Sequence, residues 1–411
     1  MSKIHGYAGK LLRVDLSKEQ ITEEKLDEAT ARKYIGGTGI GAKYLYEEVP
    51  AGVEWSDEGN RLIMATGPLG GTRVGGSGTF SIVTKGCLTN GTVASQANGF
   101  FGAFLRFSGF DGIIIQGSAR RWVYLYIHDG KAELRDASHL VGKDTWETDT
   151  LIHEELGKKE RELSVFSIGP AGENLVKFAG IFGDKGHTAP HNGTGAVMGS
   201  KKLKAVAAER GVAKLDPADP KKLSAVAKQF HERIVNDPVQ REGAYRWGTL
   251  NGIVRGAGSF IPVKNYTTNV FDISKEDLEK FGGPYIRSHF QAKPHPCWAC
   301  QMHHCHILTI PDGPYAGFVG EEPEYEQFRF WPRHWPNGCG SSYSHGQRGR
   351  PPRHGCQRDG LATWLGYGVL RERHHHPRGY RWTGDDLGKC RGSSSHDAQD
   401  SPSGRIWQHI S

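Results

Sequence analysis

Through the first 210 residues the phase of apolar and polar positions changes often, and short alternating runs dominate. In "GKLLRVDLSKEQITEEK" (residues 9–25) alternation on both sides of a polar turn predicts two paired strands. "LDEATARKYIGGTGIGAKYLYEEV" is helical in pattern but interrupted by Gly36, Gly37, Gly39 and Gly41. "NRLIMATGPLGGTRVGGSGTFSIVTKG" reads as strand, glycine loop, strand. "SQANGFFGAFLRFSGFDGIIIQG" ends in a strand at Gly112–Gln116. "WVYLYIHDGKAEL" predicts a hairpin across Asp129-Gly130. A short helix over "DTWETDTLIHEELGK" precedes a strand, turn and strand in "LSVFSIGPAGENLVKFAGI". "HTAPHNGTGAVMGSKKLKAVAAE" reads as a glycine loop running into a last strand. From "KLDPADPKKLSAVAKQFHERIVNDP" onward the pattern is helical, with Asp216 and Asp219 each before a proline that can open a helix. A domain boundary is expected near residues 210–215, so the fold class is α+β, strand-rich over 1–210 and mainly helical over 211–328.

Three glycine-rich loops punctuate the first domain. Glycine lets backbone N–H groups come close to a ligand, which suits a large phosphate-bearing cofactor. Ordinary tight turns explain the same loops equally well at this point. The Gly36–Gly41 spacing resembles a dinucleotide fingerprint, but no βαβ strand precedes it and no Gly-Lys-Ser/Thr occurs. Close backbone packing is the better reading there.

A chain of 411 residues has room for two or three domains. No apolar run reaches the roughly 18 residues of a membrane span, and "MSKIHGYAGK" has no apolar core of a signal peptide. Seven cysteines, three of them clustered, point to a reducing cytoplasm and a metal site rather than to disulfides. The net charge of +7 comes from the last 83 residues, with 13 basic and 6 acidic side chains; residues 1–328 balance at 39 of each. The body therefore gives no electrostatic reason to expect nucleic acid.

Those last 83 residues hold 8 of the 20 His and 5 of the 10 Trp, but only seven Leu, Ile or Val. So few aliphatic residues do not build a core. Read one base later, permitted codons for Arg378–Asp397 spell EDTDGLEMTWGNVEAVRAMM, a helix-like string. Residues 329–411 are expected to be a disordered or out-of-frame tail.

The densest chemistry lies in "PCWACQMHHCHI", Pro296–Ile307. Cys297, Cys300 and Cys305 stand with gaps of two and four residues, among His303, His304 and His306. Zinc takes four Cys or His ligands, and His304 or His306 can complete such a set. A [4Fe-4S] cluster takes cysteine thiolates, usually four. Spacing alone leaves zinc, iron–sulfur and chance grouping open.

The chain resembles the tungsten-dependent aldehyde:ferredoxin oxidoreductase family. The resemblance runs through nearly all of residues 6–328 and is carried by "GKLLRVDLS", "ATGPLGGT", "FSIVTKGCLT", "FFGAFLRFSGFDGIIIQG", "SIGPAGENLVKFAGI", "GTGAVMGSKKLKAVA", "CWAC" and "EPEYE". It implies a β-rich base domain of pseudo-symmetric sheets, then a mainly helical domain that is incomplete here. It implies a tungsten (or molybdenum) bis-pterin, a [4Fe-4S] cluster, oxidation of aldehydes to carboxylic acids, and ferredoxin or another electron-transfer protein as partner. A homodimer or hetero-oligomer is also implied.

Carried over by position, Cys297, Cys300 and Cys305 match three cluster ligands, although the second gap is one residue longer than in the best-known members. The fourth ligand lies far downstream in the family, so the chain as written is expected to be incomplete or inactive; Cys339, Cys356 and Cys390 are not promoted to that role. Gln96, Asn98 and Gly99 match one pterin-contacting loop. His191, Asn192, Gly193 and Gly195 match another, where many members have Arg-Gly-Gly. Thr79 stands where a pterin-binding arginine often sits, which leaves Arg73 to supply the charge. Glu326, the last residue of "EPEYE", matches an active-site carboxylate and is the expected general base. Two other expectations stand beside this one: low-potential reduction of a carboxylic acid or aromatic acyl-CoA, and a non-enzymatic zinc-binding protein.

Overall fold

The computed structural model describes residues 4–322 apart from 257–260, 262–267, 271–273, 281, 303–304 and 313–315. Glu326, His303, His304 and the tail with its cysteines lie outside the described residues.

The strand-rich region is one supersecondary pattern used twice. The first copy runs β1 (Lys10–Asp15), β2 (Gln20–Lys25), α1 (Glu28–Tyr34), α2 (Gly37–Glu48), β3 (Leu62–Ala65), β4 (Phe80–Lys85), β5 (Thr92–Ala97), α3 (Phe101–Phe107) and β6 (Gly112–Gln116). The second runs β7 (Val123–His128), β8 (Lys131–Asp136), α4 (Thr145–Leu156), β9 (Leu163–Ser167), α5 (Pro170–Glu173), β10 (Ile181–Gly183), β11 (His187–Ala189), α6 (Thr194–Ser200) and β12 (Leu203–Glu209). Each copy makes a six-stranded sheet. Their orders, β2-β1-β6-β3-β4-β5 and β8-β7-β12-β9-β10-β11, correspond strand for strand. The parallel pair is also shared: β1 with β6, and β7 with β12. The pseudo-symmetric sheets of an α+β fold are therefore present.

Alternation decides which face each strand buries. Leu12 and Val14 of β1, Phe80 and Ile82 of β4, Leu125 and Ile127 of β7 and Val206 and Ala208 of β12 share one core with the phenylalanines of α3. Phe80, Phe101 and Phe166 form its aromatic centre, with ring centroids 4.6–5.5 Å apart. The opposite face of the first sheet packs on α1 and α2 through Leu11, Ile63, Val83 and Ile114, against Ile40 and Tyr44. The opposite face of the second packs on α4 through Tyr124, Leu163, Val165 and Ala205, against Ile152. Asp144 caps α4 reciprocally with Glu147, and Gly157 ends it in the left-handed conformation. The hairpin at Asp129-Gly130 turns with φ of +47° and +72°, as a two-residue loop matching the strand twist requires.

The Gly36–Gly41 run is packing. A Cβ on Gly36 would lie 2.6 Å from Gly67 Cα, and one on Gly41 would lie 2.4 Å from Val83 Cγ2. In the second region Asp219 caps α7 (Pro220–Asn236), with Pro220 in the first turn. Asp216 opens no helix. This region also carries a small antiparallel sheet: β13 (Gln291–Pro294), β14 (His306–Thr309) and β15 (Val319–Glu321), in that order. No helix of the described residues is long and apolar enough to cross a membrane.

Candidate functional site

Equivalent turns of the two copies meet. The end of β5 carries Gln96 and the β5–α3 turn Asn98 and Gly99; the β11–α6 turn carries His191, Asn192 and Gly193. Strands β5 and β11, each at the edge of its sheet, lie against one another. The His191 N–H donates to Ser95 Oγ at 3.1 Å, and Asn192 Nδ2 donates to the Ala94 carbonyl at 3.1 Å. Gln96, Asn98 and His191 are exposed and Asn192 is half-buried, so their polar groups are offered outward. Gln96 Nε2 reaches Ser81 Oγ at 3.4 Å, and Thr79 Oγ1 donates to Asn98 Oδ1 at 2.6 Å.

The glycines of the second turn serve its backbone. A Cβ on Gly193 would lie 1.9 Å from the Lys177 carbonyl oxygen, and one on Gly195 would lie 2.2 Å from that of Gly180. They let α6 sit directly on the 177–180 segment and so aim His191 and Asn192.

The cysteine loop docks at the same place. It leaves β13 and returns in β14, and the His295 N–H bonded to the Cys305 carbonyl at 2.9 Å closes it. Trp298 is its anchor. The Trp298 N–H donates to the Gly99 carbonyl at 3.0 Å, and its indole Nε1 donates to the Thr72 carbonyl at 3.1 Å. Its ring packs on Phe104 and Phe107, with the Arg210 guanidinium 5.2 Å from its centroid. Thr72 belongs to the same loop as Arg73, which is exposed and makes no ion pair among the described residues.

Within the docked loop, buried Cys297 and Cys305 are grouped with buried His187 of β11, their ligand atoms all within 4.8 Å of one another. His187 Nδ1 stands 3.9 Å from Cys297 Sγ. Cys300, half-buried, points its thiol at the Met302 carbonyl at 3.5 Å. A hydrogen bond from Cys305, with His187 and the Gly99 backbone, holds the Cys297 thiol well below the usual range despite its burial. Burial opposes protonation of His187, but Cys297 outweighs it and brings the imidazole up to about 9. Burial pushes the Cys300 thiol up. The Cys297 environment thus favours a thiolate, the form in which cysteine ligates metals.

The histidine set beside the thiols is His187. His306 instead lies 3.3 Å from Glu322, which also takes a two-toothed contact from Arg287 at 2.7 and 2.9 Å. His187 and Asp184 were not apparent in the sequence pattern. Asp184 is buried and accepts from the Phe100 N–H and from Ser164 Oγ, both at 2.7 Å. It thereby ties the β5–α3 turn to the second copy.

Residues 11–210 match the family model for the aldehyde ferredoxin oxidoreductase N-terminal domain, and residues 225–331 match that for its domains 2 and 3. A tungsten-containing aldehyde ferredoxin oxidoreductase of Pyrococcus furiosus is 38% identical over 327 residues, 79% of this chain and 52% of the relative. An aliphatic sulfonate oxidoreductase, WOR-like subunit, of the same organism is 34% identical over 347 residues, 79% of this chain and 53% of the relative. Among solved structures, the active site complex BamBC of benzoyl coenzyme A reductase with 1,5-dienoyl-CoA superposes with a TM-score of 0.68 at 29% identity, covering 77% of this chain and 49% of that one. The chain spans about half the length of the curated relatives it matches. With both family models matched in order and the two-copy fold in place, the chain belongs to the aldehyde ferredoxin oxidoreductase family.

Proposed function

We propose that the whole protein oxidises aldehydes to carboxylic acids at a tungsten (or molybdenum) bis-pterin centre. A [4Fe-4S] cluster held by Cys297, Cys300 and Cys305 would supply the electron path to ferredoxin or another cytoplasmic electron-transfer protein. The observation that carries this reading is the convergence of two equivalent turns, 96–99 and 191–193, with a loop of three cysteines. Two like turns side by side suit a cofactor built of two like halves. A buried pair of thiols beside an imidazole suits a soft metal group.

When bound, the tungsten centre supplies two-electron chemistry and the cluster supplies one-electron steps. In this reading residues 1–210 are the tungstopterin-binding domain and residues 211–328 are part of a helical domain holding the cysteine cluster. Gln96, Asn98, His191 and Asn192 offer hydrogen bonds to the pterins, and Gly99 keeps their approach open. Gly193 and Gly195 set the backbone of the second turn. Arg73 offers charge to phosphate. Cys297, Cys300 and Cys305 hold the cluster, and Glu326 takes a proton from the attacking water.

The structural likeness to a benzoyl coenzyme A reductase complex favours a second reading, low-potential reduction of an aromatic thioester or carboxylic acid. Anaerobic assays of the metal-loaded protein with aldehydes and with benzoyl-CoA separate the two. Dye reduction with aldehydes supports oxidation; turnover confined to the thioester overturns it.

A further inference from the structure

We propose that His187 tunes the cluster from outside its ligand set: its Nδ1–H donates a hydrogen bond to Cys297 Sγ and raises the cluster's reduction potential. The cluster's ligands from the described residues remain the three cysteines. The inference rests on the iron–sulfur reading above and deepens it.

The imidazole is held with one nitrogen toward the sulfur. His187 starts β11, paired with Gly183 across the ladder, so its position is set by a strand. His295 stacks on its ring, with centroids 5.5 Å apart and planes 17° from parallel, and is itself engaged with the Asp184 carbonyl. Gly99 closes another side, where an added Cβ would lie 2.9 Å from His187 Cδ2. Nδ1 then stands 3.9 Å from Cys297 Sγ, at the long end for an N–H···S bond. Which nitrogen carries the hydrogen follows from what each one meets. Nε2 is buried with no hydrogen-bond partner among the described residues, so no acceptor draws the hydrogen there. Nδ1 faces a sulfur that is a thiolate once it holds metal, and the hydrogen belongs on that side. Both groups are buried, which keeps water from competing for the sulfur. A donor at a ligand sulfur stabilises the reduced cluster, which carries the extra negative charge, and hydrogen bonds to sulfur are among the levers that set such potentials.

The test is a redox titration of the full chain, isolated anaerobically and reconstituted with iron and sulfide, followed by EPR of the reduced cluster. His187→Phe keeps a flat ring but has no donor. Its midpoint potential is expected to fall by about 60 mV, a tenfold change in the one-electron equilibrium, with iron content unchanged. His187→Asn, whose amide nitrogen overlays Nδ1, is expected to keep most of the original potential. In the unsubstituted chain labelled with ¹⁵N-histidine, pulsed EPR is expected to show a weakly coupled nitrogen, as across a hydrogen bond. This last measurement needs no variant to fold. An unchanged potential in His187→Phe, an equal fall in His187→Asn, or a cluster with no histidine nitrogen coupling overturns the inference and leaves the iron–sulfur reading standing. Binding of zinc with no iron overturns that reading and the inference with it.

Discussion

At Gly99 the backbone turns to φ +100°, and its carbonyl accepts the Trp298 N–H that docks the cysteine loop. A Cβ there would stand 2.6 Å from Asp184 Oδ2 and 2.9 Å from His187. Gly99→Ala is expected to cost about 3 kcal/mol of stability, from the disfavoured φ together with the clash; urea unfolding of the two proteins measures it. Lys201 gives a pH dependence. It is buried, donating to the carbonyls of Asn60 at 2.8 Å and Gly117 at 3.2 Å, and burial brings its ammonium down to about 7. Between pH 7 and 10.5 the unfolded chain keeps a proton that the folded chain has released. Stability therefore rises with pH across that window, and is lowest from this group below pH 7. Lys201→Met is expected to remove that slope in melting measured from pH 7 to 10. Asn98 and His191 were reached only through the family resemblance, whereas the cysteines stood out because they lie in one dense local motif. His187 did not, because its partner Cys297 is 110 residues away and only the juxtaposition of β11 with β5 and the docked loop brings them together.

Among the elements, the hairpins and α4 were legible because period, turn residues and caps agree locally. Helix α6 was not. Its "GTGAVMGS" reads as a loop, and it is helical because Gly195 and Gly199 let it lie on backbone: their added Cβ atoms would stand 2.2 and 2.0 Å from the carbonyls of Gly180 and Gly172. Strand β5 is also hidden, since "TVASQA" is half polar and its pairing with β4 decides its state. The buried pair of Arg106 on α3 with Asp111 joins the start of the chain to the core. Asp111 accepts from the N–H groups of Ala8 at 3.0 Å and Gly9 at 2.7 Å, and Arg106 Nη2 donates to the Gly6 carbonyl at 2.9 Å. Removing one partner leaves a buried charge, so Arg106→Met is expected to destabilise by about 3–5 kcal/mol in the same unfolding assay. Trp298→Ala tests the docking of the loop. It is expected to lower iron retention after desalting while leaving the circular dichroism of the two sheets unchanged.

For the molecule as a whole, duplication explains why the site lies where it does. Two copies of one pattern face each other across a shared core, and their equivalent turns come together where edge strands β5 and β11 touch. The cysteine loop of the second region then covers that meeting point. The repeat itself was not legible from residue identities, because the copies share strand order and parallel pairing rather than an evident common motif. The charge balance of residues 1–328 is consistent with recognition of a small cofactor by a few placed polar groups rather than by a charged surface. In the proposed function this meeting point holds a tungsten pterin group beside an iron–sulfur cluster. Elemental analysis of the full chain, produced anaerobically with tungstate and iron and desalted, tests it most directly. About one tungsten and on the order of four irons per chain are expected, with visible charge-transfer absorbance from the cluster. One zinc per chain with neither iron, tungsten nor molybdenum would contradict it.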